Sequence, residues 1–310
     1  MEQGNEMTVT KDLFRRVGVD EQKSESVVRP SISYWQDAVR RLKQNKVAMV
    51  SLVVLLLILV MCAIGPYIYP HPFDEQNIEF TNQAPSLQHW FGLDDLGRDI
   101  FARIWMGGRI SLTIGIVGAF VSLVIGVLYG GISGYCGGLV DDIMMRIVEI
   151  LVGVPYMVVV IIMSVVLGKG MTSLLIALCI TSWTNLARIV RGQVLELKES
   201  EYVLAARALG TPPLQIIVTH LLPNTLSLII INTTFSIPSF IFAEAFLSFV
   251  GLGIQPPLTS WGAMAALGQQ QMSYSPHELI FPALAISLTM LAFNLLGDGL
   301  RDAFDPKLRQ

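Results

Sequence analysis

Long apolar runs separated by short polar segments pattern this chain. Runs near 47–69, 110–134, 147–167, 172–190, 225–250 and 279–300 each approach the roughly 20 residues a helix needs to cross about 30 Å of hydrocarbon. They predict an all-α membrane protein with about six spans. Pro155 and Pro238 interrupt the third and fifth runs, where a proline can kink a helix and turn carbonyls toward a cavity. The second run carries small residues four apart at Gly118, Ser122, Gly126, Gly130, Gly134 and Gly138. Four residues turn a helix by about 400°, so this stripe drifts by about 40° per step and meets more than one neighbour. It is either a sliding, pore-side surface or ordinary small-residue packing.

Outside the runs, residues 31–46 place Trp35, Ala38, Val39 and Leu42 on one helical face, with Arg40, Arg41, Lys43 and Lys46 around the rest. That pattern fits an interfacial helix at an anionic leaflet, or a plain basic flank to the first span. Residues 1–30 have no sustained period and are expected to be a loose tail. No apolar stretch precedes Val47, so no cleavable signal is expected and the first span acts as the insertion signal.

Between the fourth and fifth runs lies a segment of a different kind. Ser200 is a plausible N-cap, Ala205, Ala206 and Ala208 favour helix, and Gly210 supplies a left-handed stop. Thr211 is expected to cap a second helix, with Pro212 in its first turn. Leu214, Ile217, Val218 and Leu221 give that helix one apolar stripe before Pro223 ends it. Two short helices at a fixed angle, the form of a docking device, are predicted.

Composition and charge narrow the setting. The chain is 53% hydrophobic and 15% charged, with a mean hydropathy of +0.58, which is rare for a soluble protein. Of its 21 Lys and Arg, all but Arg98, Arg103, Arg109 and Lys169 fall on one side of the expected spans. The positive-inside rule therefore puts both termini and the helix-pair loop in the cytoplasm, with 70–109 and 251–278 outside. The expected layout is a tail and interfacial helix over 1–46, a first span over 47–69 and an outer loop over 70–109. A transmembrane core over 110–301 follows, including the 191–224 cytoplasmic loop and the 251–278 outer loop, and 302–310 forms a short tail.

The residue order of the helix-pair loop resembles that of ATP-binding-cassette (ABC) importer permeases. Their pattern is Glu-Ala-Ala, three residues, Gly, nine residues, Ile, one residue, Leu-Pro. Ala205, Ala206, Gly210, Leu222 and Pro223 fall in register, while Leu204 stands for the Glu and His220 for the Ile. Both departures look like the peptide-transporting branch, the dipeptide/oligopeptide permeases. Further matches are His89-Trp-Phe-Gly-Leu-Asp-Asp-Leu-Gly-Arg-Asp99, Glu244-Ala-Phe-Leu-Ser-Phe-Val-Gly-Leu-Gly253 and Gly297-Asp-Gly-Leu-Arg-Asp-Ala-Phe-Asp-Pro306. The resemblance covers nearly the whole chain after residue 34.

What the resemblance implies is a type I ABC importer permease fold in a multi-pass protein of the bacterial cell membrane, forming half of a pathway for short peptides. It implies a second homologous permease, two ABC ATPase subunits and an extracytoplasmic peptide-binding protein as partners. ATP and Mg belong on the ATPases, with no cofactor or catalytic residue on this chain. Glu201, Ala205, Ala206, Arg207, Gly210, His220, Leu222 and Pro223 are the implied ATPase-coupling residues. Trp90, Asp94, Asp95, Arg98 and Asp99 are candidates for contact with the binding protein. Relatives with similar permeases carry nickel or glutathione, so another small cargo stays open. Membrane lipid is a partner, and nothing points to nucleic acid.

The remaining chemistry is sparse. Gly168-Lys169 is followed by Gly170 and preceded by Met163 where a P-loop needs its first Gly, so no phosphate cradle is expected. Neither a Gly-x-Ser-x-Gly elbow nor a His-Glu-x-x-His helix occurs. His71, His89, His220 and His277 are dispersed, and Cys62, Cys136 and Cys179 are odd in number and scattered; neither metal nor disulfide is expected. Glu149 has Arg146 as an i,i+3 partner. Asp99 and Arg103, at i,i+4, suit a short surface helix. Glu244 sits in the fifth run without a sequence-local partner. It lines the translocation route, pairs with the partner permease, or is a structural, locally hydrogen-bonded Glu. An ion-coupled secondary transporter is the rival reading, but it wants inverted repeats and several midplane carboxylates.

Overall fold

The computed structural model describes residues 34–68 and 70–305. The expected loose tail of 1–30, and Lys307 and Arg309 of the final tail, lie outside the described residues. Among the described residues there are eleven α-helices. They are α1 (Tyr34–Gln44), α2 (Lys46–Ile68), α3 (Ile100–Cys136), α4 (Gly138–Gly153), α5 (Tyr156–Val166) and α6 (Met171–Leu197). After these come α7 (Glu201–Ala208), α8 (Pro213–Ile216), α9 (Leu222–Phe249), α10 (Trp261–Gln270) and α11 (His277–Phe304).

Among the described residues, five stretches are long and apolar enough to cross a membrane: α2, α3, α6, the run from α8 through α9, and α11. The third expected span is not straight. α4 and α5 meet at 81°, and the break falls where the sequence places Pro155. Its pyrrolidine ring disfavours helical backbone at Val154, which sits at φ −84° and ψ 121°. With 11 residues, α5 reaches only about 16 Å. Pro238 behaves differently, staying inside a continuous and buried stretch of α9.

α3 begins ten residues before the apolar run does, so the outer segment ends at Asp99 and not at 109. Asp99 moves the start: its carboxylate accepts the Ala102 amide at 3.0 Å and caps the helix. Arg103 is compensated by Asp94, 3.4 Å away, and not by Asp99. The expected short surface helix is therefore the first turn of a 37-residue helix.

The small-residue stripe of α3 is where the core closes. Gly115 and Gly118 face Ile241 and Phe240 of α9, while Gly126, Gly130 and Gly134 face the backbone of α6. The stripe thus passes from one neighbour to the next as it drifts, and it is a packing surface. A Cβ on Gly130 would stand 2.3 Å from the Ala187 carbonyl oxygen, an approach only glycine permits. Ser122 and Ser182 hydrogen-bond at 2.5 Å across the same seam.

The two ends of the chain meet. α11 lies along α2, with Gly299 so close to Ala48 that a Cβ would fall 2.3 Å from its neighbour. α1 folds back on the end of α11, where the Tyr34 hydroxyl donates to the Phe304 carbonyl at 3.2 Å. Arg41 spans Asp37 at 2.9 Å and the Asp305 carbonyl at 3.4 Å. Of the expected apolar face, Ala38 is buried, while Trp35 and Val39 stay exposed at 43% and 50%.

Gly130→Val puts a branched side chain against backbone that cannot step aside, and it is expected to cost on the order of 1–3 kcal/mol. Gly153→Ala, where nothing lies within 4 Å of the added carbon, is the matched control. The detergent-purified thermal midpoint should fall for the first and hold for the second; equal midpoints would contradict the packing role of the stripe.

Candidate coupling and translocation sites

The basic end of the bundle carries the helix-pair loop. Ser200 holds the N-cap position of α7, but its hydroxyl turns back to the Leu197 carbonyl at 2.5 Å and makes no side-chain cap. Val203 and Ala206 are buried and join Val190, Val194, Ile216 and Leu221 in one apolar cluster. This fixes the roll of α7. Its other face presents Glu201, Tyr202, Leu204, Ala205 and Arg207.

Gly210 closes α7 with φ +78°. The Gly210 amide donates to the Arg207 carbonyl at 3.0 Å and the Thr211 amide to Ala206 at 3.1 Å, the paired bonds of a Schellman ending. Nothing lies within 4 Å of the space a Cβ would take there. Glycine is thus demanded by the backbone and not by a neighbour.

The second helix departs from expectation. Pro212, not Thr211, holds the N-cap, and Pro213 opens the helix. Pro223 does not end it: a π-helical turn over Ile217–Leu221 joins α8 directly to α9. Proline lacks an amide donor, and the widened turn passes its missing hydrogen bond without breaking the rod. The predicted stripe divides, since Ile217 and Leu221 are buried while Leu214 and Val218 are 65% and 52% exposed. With Tyr202, Leu204 and Leu209 they leave an apolar patch outward-facing at this end. His220 is half-buried, 6.5 Å from the Tyr202 ring, and Leu222 packs against the same cluster as Ile217.

Beneath the loop sits a charged knot that the sequence reading missed. Arg191 of α6 donates from Nε and Nη2 to the two carboxylate oxygens of Asp141 on α4, both at 2.5 Å. Ser133 of α3 donates to the same carboxylate at 2.5 Å. Lys198 reaches the Gly134 carbonyl at 3.3 Å, and Arg207 of α7 covers the Tyr135 ring at 5.5 Å. Three spans and the docking helix are thereby tied at one level. Arg191 and Asp141 lie fifty residues apart, so only the Asp141-Asp142 pair opening an apolar stretch signalled it.

At the opposite end, the segment read as a contact surface turns inward. Asp94, Arg98 and Asp99 are 7%, 7% and 2% exposed. Asp94 accepts the Leu96 and Arg98 amides at 3.0 and 2.9 Å and binds the Arg98 Nε at 2.8 Å. Asp99 pairs with His89 Nδ1 at 2.8 Å. These charges hold the turn before α3 together because, at a buried site, each needs a partner. Asp95, 3.4 Å from Arg98, keeps a third of its side chain exposed, and Trp90 is 52% exposed. The second outer loop is likewise partly internal. Trp261 is fully buried, with its indole nitrogen on the Ile104 carbonyl at 2.8 Å.

Glu244 is 0% exposed. Its carboxylate accepts the Ser111 hydroxyl at 2.9 Å and the Ser248 hydroxyl at 2.7 Å, and the Trp261 amide binds the same Ser111 at 3.2 Å. It joins α3, α9 and α10 internally and is fully buried, so the geometry favours a structural carboxylate over a path-lining one. Arg146 and Glu149 pair at 2.7 Å on an open face. Cys62, Cys136 and Cys179 are free. A cavity of about 380 Å³ opens between α5, α6 and α9.

Residues 126–310 match the family model described as binding-protein-dependent transport system inner membrane component. Residues 33–85 match the N-terminal TM domain of oligopeptide transport permease C. The chain is 53% identical to the dipeptide transport system permease protein DppC of Bacillus subtilis, covering 93% of this chain and 90% of that protein. It is 47% identical to the oligopeptide transport system permease protein OppC of the same organism, over 97% and 99%. A glutathione transport system permease protein, GsiD of Escherichia coli, is 43% identical over 89% and 91%. Among solved structures, the inward-facing MetNI methionine ABC transporter matches with a TM-score of 0.53 at 22% identity. The match covers 65% of this chain and 96% of that one, and it shows the shared fold.

Replacing Asp141 or Arg191 singly by Ala leaves an uncompensated, largely buried charge, whereas the double replacement leaves none. The thermal midpoints should therefore be non-additive, with a coupling of about 1–3 kcal/mol. Additive losses would show that the pair holds nothing together.

Proposed function

The chain belongs to the binding-protein-dependent transport system inner membrane components, with the type I ABC importer permease fold, and from that premise we propose that its cargo is short peptides. It is a non-catalytic membrane subunit forming half of a translocation pathway. A second, homologous permease supplies the other half, two ABC ATPases bind ATP and Mg at the cytoplasmic end, and an extracytoplasmic binding protein delivers the peptide. The 53% and 47% identities to the Bacillus subtilis dipeptide and oligopeptide permeases, against 43% to the glutathione permease, support that cargo over glutathione.

The observation that carries the coupling role is the exposed patch of Tyr202, Leu204, Leu209, Leu214 and Val218. These residues sit on a helix and turn anchored from behind by Val203, Ala206, Ile216 and Leu221. An ATPase groove covers that patch. Glu201, Ala205 and Arg207 lie at its edge, and Gly210 sets the angle between α7 and α8. His220, Leu222 and Pro223 lie at the join to α9, so a push on α7 reaches α9 through the continuous rod beyond the π turn. Moving a two-state cavity from 1:99 to 99:1 takes about 5.5 kcal/mol, an amount the partner ATPases supply. At the outer end, Trp90 and Asp95 remain open to the binding protein, while Asp94, Arg98 and Asp99 shape the turn that presents them.

The rival, ion-coupled transport, asks for several carboxylates at mid-depth. Glu244 lies in the outer half of α9, and hydroxyls enclose it.

Gly210→Val forces a branched residue into left-handed backbone. In proteoliposomes holding the full assembly, ATP-dependent uptake of a short peptide should fall at least about tenfold, a loss equivalent to 1.4 kcal/mol or more, with membrane level unchanged. Normal uptake would refute the coupling assignment, and uptake that follows a proton or sodium gradient without ATP would refute the importer reading.

A further inference from the structure

The cavity between α5, α6 and α9 is walled by two polar stripes in otherwise apolar helices. α6 contributes Thr181, Ser182 and Asn185, and α9 contributes Asn232, Ser236 and Ser239. The α9 positions recur at i, i+4 and i+7, so they share one face. Both stripes lie near the middle of their helices, α6 running 171–197 and α9 running 222–249. An amide facing hydrocarbon at that depth would be costly. These side chains therefore belong to a space that holds polar groups.

Ser182 is engaged with Ser122 across the α3 seam, while four of the other lining residues keep hydrogen-bonding capacity or exposure toward that space. Ser236 and Ser239 donate to the carbonyls of Asn232 and Phe235 at 2.8 and 3.0 Å, which leaves their oxygens as acceptors. Asn232 spends one amide hydrogen on the Leu228 carbonyl at 2.8 Å and retains its own carbonyl and a second N–H. Asn185 is exposed. Among the described residues no Asp, Glu, Lys or Arg lines the cavity; Tyr156, Phe235 and Phe240 supply apolar wall. Glu244, next in sequence to the lining residue Ala243, is held away by Ser111 and Ser248.

We propose that this wall contacts the peptide in transit through its main-chain amides and does not discriminate the charge of its side chains. This rests on the peptide-permease reading. Every peptide carries the same N–H and C=O groups, and Asn, Ser and Thr match both. A fixed charge a few ångströms from the cargo in a low-dielectric space would instead bias transport strongly by sign. At about 380 Å³ the space is within the roughly 300–1,000 Å³ range of ligand pockets.

The test uses the full transporter in proteoliposomes, with Ala-Lys-Ala, Ala-Ala-Ala and Ala-Glu-Ala as probes and each variant normalised to wild type, so that selection by the binding protein cancels. Asn185→Leu and Asn232→Leu should lower uptake of all three alike, by roughly three- to tenfold, the scale of one lost hydrogen bond. Asn232→Asp should raise the Lys-to-Glu peptide ratio by about tenfold or more. An unchanged ratio at normal membrane level, or a Leu variant that loses only one peptide, overturns the wall assignment alone. Wild-type protein that carries none of the three with ATP overturns the peptide reading as well. Independently of variant transport, photo-crosslinking with a main-chain benzophenone peptide should label the wall of the wild-type protein. Labelling elsewhere, or single cysteines at 185 and 232 that react only with the second permease, would overturn the proposal.

Discussion

The near-contact of two backbones, α3 against α6 through Gly126, Gly130 and Gly134, is the constraint from which the arrangement of the other helices follows. In lipid no hydrophobic force drives helices together, and close approach through small residues is a main source of association. Because the stripe drifts around α3, its earlier members, Gly115 and Gly118, meet α9 instead. A single helix therefore fixes the positions of both helices that carry the polar stripes. The cavity between α6 and α9 exists because both are clamped to α3 and neither fills the space on its far side.

The same clamp gives the basic end its rigidity. Asp141, Arg191 and Ser133 meet one turn from where the glycine stripe ends, and Lys198 and Arg207 reach back to Gly134 and Tyr135. Under such a tie, α7 cannot slide independently of α3 and α6. On its other side α7 passes through the Gly210 ending to α8, and α8 is continuous with α9 through the π turn. Under the proposed coupling role, a force on the exposed patch of α7 and α8 has two routes into the membrane, one through the contacts to α3 and α6 and one through the α9 rod. Both converge on the cavity walls.

Much of this was legible from local pattern, and the rest was not for identifiable reasons. The apolar runs announced the spans because length and polarity are local properties. Gly210 announced its own left-handed backbone, and the four-residue spacing on α3 announced a stripe that changes neighbours. The bend at Pro155 was foreseen as a kink, though its angle of 81° depends on packing. Pairings across 50 residues, as for Asp141 and Arg191, or 133, as for Ser111 and Glu244, leave no local trace. Asp94, Arg98 and Asp99, candidates for outward contact in the sequence, are buried in this chain for a physical reason. Charged side chains in a loop are usually solvated, but here they neutralise one another in a buried turn that caps α3. Leu214 and Val218 depart in the other direction, since a stripe drawn for an ideal helix loses its register at a π turn.

Where the chain places its charges sets what it can do. Asp94, Arg98 and Arg103 are cross-neutralised at one end, Asp141 and Arg191 at the other, and Glu244 is held among hydroxyls between them. Among the described residues, the cavity wall carries none. A pathway that bound a charged cargo with its own fixed charges would hold that cargo through the stroke meant to release it, since only differential affinity between two states does work. Uncharged hydroxyls and amides bind weakly and exchange readily with water. Such a wall is consistent with the proposal that the driving force enters at the helix-pair loop, and the ion pairs at the two ends can then serve geometry alone.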